Sequence, residues 1–198
     1  CSSDLLGPEL ELTRYSLGLW QGELEDHGHL WEFERKGGII VASRETSLAS
    51  LERFSASQRE FGIHSQRLDQ AELRDLEPHI TGNALGAAFY PEDSQVQPIL
   101  AASHLLRLAR EHGAELVTHA PVTALLRDGD RVIGARTPRG DFHAANTVNA
   151  TGPWAGTIGE LAGVNVPVMP RRGFVMVTEA LPPMVHHKVY AAEYVDNV

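Results

Sequence analysis

Apolar residues recur along this chain at helical and strand periods, and the two periods alternate. Leu12, Tyr15, Leu19 and Leu24 share one face of a helix predicted over residues 8–26, with Pro8 at a first helical position and Gly28 as its stop. The segment WEFERKGGIIVAS (31–43) reads as two short strands about Gly37-Gly38. A second amphipathic helix sets Leu48, Leu51, Phe54, Gln58 and Phe61 on one face and closes at Gly62. Residues 69–77 open with Asp69 and Glu72 at capping-box spacing and stop before Pro78.

From residue 85 the order is strand, helix, strand, meander, strand, helix. LGAAFYPED (85–93) is a strand leading into a turn. Pro98 starts a helix that runs to Gly113 and should bury Ala102, Leu105, Leu106 and Ala109. ELVTH (115–119) is a short strand. After Pro121 the arms VTALLRD, RVIGART and DFHAANTVNAT are joined by turns at Asp128-Gly129 and Arg139-Gly140, the pattern of a meander. Residues 153–163 are helical, and RRGFVMVTE (171–179) is another strand. Residues 85–165 thus form an α/β layer with an antiparallel flap, and the rest is α+β.

The composition is that of a globular domain: 198 residues, 42% hydrophobic and 22% charged. The net charge of −9 repels phosphate backbones, and Arg171-Arg172 is too small to make a basic patch, so nucleic acid is excluded as a partner. No run of about 18 apolar residues exists to span a membrane. Cys1 is the single cysteine, which rules out an intrachain disulfide or a cysteine-rich zinc site and is consistent with a reducing, cytoplasmic setting. The oligomeric state stays open.

The chemistry concentrates in TVNATGPWAG (147–156). In a doubly wound sheet ligands sit outside the carboxyl ends of strands, and close backbone approach there needs small residues. Ala150, Thr151 and Gly152 meet that need, Pro153 suits the first turn of the next helix, and Trp154 offers a ring as a wall. A purely structural strand-to-helix turn has the same composition. The other candidates carry less. His27, His29, His186 and His187 read as solvated loop histidines, and no metal site is expected. Glu92 and Asp93 read as a turn with an N-cap, and no Gly-x-Ser-x-Gly is present. No catalytic acid or base is assigned.

The order and spacing of several motifs resemble the D-amino-acid-oxidase-like family of FAD-dependent oxidoreductases, the group of glycine oxidase, sarcosine oxidase and D-amino acid dehydrogenases. These are Gln95-Val96-Gln97-Pro98, Gly113-Ala114, Pro121-Val122-Thr123, Arg131-Val132-Ile133-Gly134, Asn149-Ala150-Thr151-Gly152 with Trp154, and Pro170-Arg171-Arg172-Gly173. The resemblance runs from about residue 8 to the end. It implies part of a doubly wound FAD-binding domain with an antiparallel meander, plus part of an α+β substrate domain. Residues 1–28 and 93–166 would belong to the first, and 29–92 and 167–198 to the second. It also implies that Val122 meets the adenine through its backbone, and that Ala150, Thr151 and Gly152 approach ribose and pyrophosphate beside Trp154. Tyr190 and Tyr194 lie in the region that supplies a hydroxyl to the substrate carboxylate.

The resemblance implies oxidation of the C–N bond of a small amine or amino acid by hydride transfer to FAD. Two departures qualify it: no Gly-x-Gly-x-x-Gly loop occurs, and the chain stops at Val198, before the family's glycine-rich closing segment. The expectation is therefore an internal fragment of a longer flavoenzyme that binds FAD poorly alone. The alternative is a non-catalytic flavoenzyme-like domain that binds a small ligand or a partner subunit.

Overall fold

The computed structural model of the chain describes residues 3–193. In chain order the first elements are α1 (Ser3–Gln21), a 3-10 turn (Glu25–Leu30), β1 (Gly38–Ala42), α2 (Glu45–Glu60), β2 (Gln66–Leu68) and α3 (Gln70–Leu76). They are followed by β3 (Gly86–Tyr90), α4 (Pro98–Glu111), β4 (Ala124–Asp128), β5 (Arg131–Thr137) and β6 (Gly140–His143). A second 3-10 turn (Gly152–Trp154), α5 (Ala155–Ala162) and β7 (Lys188–Ala191) complete the set. The chain divides into two compact units, one of residues up to His112 with Ala180 onward, the other Gly113–Glu179.

The first unit is built on a mixed sheet of order β2-β3-β1-β7, in which β1 runs antiparallel to β3 and parallel to β7. Side chains alternate across it. One face carries Ile39, Val41, Leu68 and Ala87, which bury Leu73 of α3 together with Ala84. The other carries Ala42, Ala88 and Tyr90, packed on Leu51 of α2 and on Ala192. The α3 capping box is formed: Asp69 Oδ1 accepts from Ala71 N and Glu72 N at 2.8 and 2.9 Å, and Glu72 Oε2 accepts from Asp69 N at 2.8 Å. These bonds satisfy N–H groups a seven-residue helix leaves orphaned, typically worth about 1 kcal/mol.

The second unit is the meander β4-β5-β6 followed by α5. Gly134 permits its tight pairing, since a Cβ there would stand 2.0 Å from the Phe142 carbonyl oxygen. Arg136 donates to both Asp141 oxygens at 2.8 Å across the β5–β6 pair. That bidentate bond holds the Asp141 carboxyl below the usual range.

Several predicted boundaries are corrected. The first helix starts at Ser3 rather than Pro8 and ends at Gln21 rather than 26, because the chain re-coils into the 3-10 turn. WEFERKGGIIVAS supplies one strand, not two: Glu34 makes an isolated bridge to Gln95 before β1 starts at Gly38. Residues 66–68 form a short strand, β2, by pairing with β3, which the apolar periodicity does not predict. On α4 the buried residue is Ala101, while Leu106 is 47% exposed and Ala102 and Ala109 are exposed. Its N-cap is Gln97, whose Oε1 accepts from Ile99 N at 2.9 Å, rather than a residue of the 92–94 turn.

The predicted strands 115–119 and 171–179 are not formed, and the last meander arm pairs only over Gly140–His143. Strand propensity becomes a strand only where a neighbour accepts its ladder bonds. Among the described residues these segments have no such neighbour, and Phe174, Val175, Met176 and Val177 stand exposed.

Candidate functional site

In the second unit Val122 and residues of the 147–151 segment line one cavity. Thr123 N donates to Arg136 O at 2.9 Å, extending the β4–β5 pairing back to the residue beside Val122. Ala144 N donates to Ile133 O at 3.0 Å and directs the chain after β6 along the same sheet. Val122, Val132, Thr147, Asn149, Thr151 and Ile158 are among the residues lining an open, largely apolar cavity of about 230 Å³. The sequence therefore put two of its candidates, Val122 and Thr151, on what proves to be one cavity.

Ala150, Gly152 and Trp154 stand next to that lining rather than in it. The turn they form is held by a residue not assigned a role of its own from sequence. Asn149 Oδ1 accepts from Thr151 Oγ1 at 2.7 Å and from Thr151 N at 3.4 Å, while Asn149 Nδ2 donates to Ala155 O at 3.0 Å. One side chain thus folds the Ala-Thr-Gly turn and ties it to the first turn of α5. The signal was present, since Asn bonding backbone two residues on is a turn former. Gly152 takes φ +56, a conformation that favours glycine, and a Cβ there would meet nothing within 4 Å. The backbone of the turn is consequently open to a close-approaching group. Trp154 is 69% exposed beside it.

In the first unit Tyr190 lies on β7, paired with Ile40 and 48% exposed. Lys188, two residues before and so on the same face, places Nζ 5.6 Å from the Tyr190 ring centroid and 2.9 Å from Asp93 Oδ2. Asp93 is thus an ion-pair partner of the strand as well as a turn residue. Tyr194 lies outside the described residues.

His187 corrects the reading of the histidines as solvated loop residues. Its Nδ1 stands 2.8 Å from Glu77 Oε1, and its ring meets Phe89 edge-on. His27 packs its ring 5.9 Å from that of the buried Trp31. A second open cavity, of about 300 Å³, lies between α2 and β3 and is lined by Leu48, Leu51, Ser55, Arg59, Arg67 and Ala88 among others. At its edge the Tyr90 hydroxyl donates to Gln58 Oε1 at 2.8 Å and contacts Ser55 Oγ at 3.1 Å. Burial pushes the Tyr90 phenol up, against the pull of its hydrogen bonds from Ser55 and Ser65.

The sequence profile of the DAO family, described as FAD dependent oxidoreductase, matches residues 2–197, and the chain belongs to that family. It is 34% identical over 165 residues to hydrogen cyanide synthase subunit HcnC of Pseudomonas aeruginosa, a match covering 82% of this chain and 40% of that protein. Human mitochondrial sarcosine dehydrogenase is 29% identical over 180 residues, 87% of this chain and 20% of that protein. Anaerobic glycerol-3-phosphate dehydrogenase subunit A1 of Haloferax volcanii is 35% identical over 159 residues, 73% of this chain and 27% of that protein. Among solved structures, glycine oxidase from Geobacillus kaustophilus superposes with a TM-score of 0.79 at 26% identity, over 93% of this chain and 51% of that one. The mixed α+β architecture is thus that of FAD-dependent oxidases. The chain spans 40% or less of the length of these three curated relatives. No helix among the described residues is long and apolar enough to cross a membrane.

The residues present fit part of an FAD. An apolar cavity beside a small-residue turn with accessible backbone suits a nucleotide, whose base seeks apolar walls and whose ribose–phosphate seeks backbone donors. A cavity of about 230 Å³ is smaller than the 300–1,000 Å³ usual for a whole ligand, so it would accommodate only a portion of an FAD.

Proposed function

We propose that this chain is part of a flavoprotein oxidoreductase that oxidises the C–N bond of a small amine or amino acid. The observation that carries the reading is the cavity shared by Val122 and Thr151 beside the Asn149-pinned turn, in a member of an FAD-dependent family. Bound FAD supplies the hydride acceptor. Val122 would contact the adenine end, and Ala150, Thr151 and Gly152 the ribose and pyrophosphate, with Trp154 as a wall. Tyr190 or Tyr194 would offer its hydroxyl to the substrate carboxylate.

Similarity to proteins named for sarcosine and glycine supports an amine substrate. Similarity to a glycerol-3-phosphate dehydrogenase supports a second reading, in which a C–O bond is oxidised. In the proposed organisation residues 1–28 and 93–166 serve the cofactor, and 29–92 with 167–198 serve the substrate. Pairing of β1 with β7 in one sheet supports joining the latter two segments. One cysteine in the chain supports a cytoplasmic location, and the net charge of −9 argues against a nucleic-acid partner.

The test is anaerobic flavin reduction in the full-length protein carrying this chain. Sarcosine, glycine, proline and a panel of D-amino acids are compared with glycerol 3-phosphate. Bleaching of the flavin by one of the amines and not by glycerol 3-phosphate is expected. Bleaching by glycerol 3-phosphate alone would establish the second reading, and a protein that holds no flavin would refute both.

A further inference from the structure

Glu77 is the one buried charged side chain among the described residues, 2% exposed at the C-cap of α3. A buried carboxylate is costly unless charge-assisted bonds compensate it. Here one oxygen, Oε1, accepts from His186 N at 2.8 Å, His187 N at 2.6 Å and His187 Nδ1 at 2.8 Å. All three donors come from a segment more than 100 residues away in sequence. That segment runs straight into β7: Lys188 N donates to Gly37 O at 3.2 Å, and Lys188 pairs with Gly38.

β7 is the outer strand of its sheet, with only β1 beside it among the described residues. A strand held on one side is the element most open to slippage, and a slip of one residue turns every side chain to the opposite face. Tyr190 is three residues beyond His187. Whether Lys188 and Tyr190 stand on the Ile40 face of the sheet, as they do, or on the Ile39 face is decided by where the strand begins, and Glu77 fixes that point with three bonds.

We infer that Glu77 is a positioning residue: by anchoring His186 and His187 it sets the register of β7, and so the face on which Tyr190 meets the substrate carboxylate. This rests on the reading of Tyr190 as a substrate-binding hydroxyl. Glu77 itself touches no substrate.

The experiment is a double-mutant cycle of Glu77→Ala and Tyr190→Phe in the full-length flavoenzyme, with KM and kcat for its amine substrate and amide exchange across residues 187–191. Tyr190→Phe should raise KM about tenfold, the loss of one good hydrogen bond at 1.4 kcal/mol per decade. Glu77→Ala, which removes the shared acceptor oxygen, should raise KM similarly with kcat within about threefold, and add little once Tyr190 is Phe, because the two act in series. Amide protection of β7 should fall about tenfold or more while that of β4–β6 holds. His187→Asn, which places an amide nitrogen near the Nδ1 position, should keep the normal KM, and His187→Leu, which removes one of the three bonds, should shift KM and β7 exchange in the same direction as Glu77→Ala but by a smaller factor. The His187 pair carries the test if Glu77→Ala does not fold. Unchanged β7 exchange, or additive KM effects, would overturn the role of Glu77 while leaving Tyr190 in place. A normal KM in Tyr190→Phe would remove the Tyr190 reading and this inference together.

Discussion

Replacing Gly159 with alanine pits two effects of known size against each other. Gly159 is a buried residue of α5, and alanine in a helix interior is favoured over glycine by about 1 kcal/mol. The added Cβ would, however, lie 2.6 Å from Val166 Cγ2 and 2.9 Å from the Val164 carbonyl oxygen. The first neighbour is a side chain that can turn. The second is backbone, tethered because Val164 N donates to Gly159 O at 3.0 Å. Overpacking of this kind costs roughly 1–3 kcal/mol. The net expectation is a loss of about 1 kcal/mol, with α5 displaced from Val164 and Val166 and the Val122–Thr151 cavity changed in shape. Urea unfolding followed by circular dichroism would show it as a midpoint lower by about 0.5–1 M, given a slope of roughly 1–2 kcal/mol per M for a small unit. Adding Val166→Ala removes the closer clash and leaves the carbonyl, so the pair should couple favourably and recover part of the loss. A midpoint that rises in Gly159→Ala would mean that propensity alone operates, and the close approach of α5 to residues 164–166 would be refuted.

Two further outcomes test the first unit. Leu73→Ala removes a fully buried side chain from between α3 and the sheet and should cost about 3–5 kcal/mol, read as a drop in thermal midpoint and a loss of the α3 and β2 amides from slow exchange. Because burial raises the Tyr90 phenol in the folded state, stability should be full below the ordinary tyrosine value near 10 and fall as pH rises past it, where the unfolded chain ionises first. Tyr90→Phe should flatten that alkaline limb, and a limb that persists unchanged would assign it to other groups.

The sequence by itself determined most of the local structure, because the signals involved are carried within a few residues. The Asp69–Glu72 box, the Asp128-Gly129 and Arg139-Gly140 turns and the Gln97-Pro98 helix start are all short-range chemistry, and each appears where the sequence places it. The Asn149-Ala150-Thr151-Gly152 turn was legible for the same reason, since its bonds span six residues or fewer. Pairing was not legible. Strand-like composition at 115–119, 144–151 and 171–179 forms no ladder, because a ladder depends on a partner and not on propensity. The sheet order that places β7 beside β1 joins residues about 150 apart, and no periodicity records it. The bond from Glu77 to His187 is the clearest case. From sequence one is a helix end before a proline and the other a loop histidine. Only the fold brings them to 2.8 Å and makes a costly buried charge the anchor of a strand.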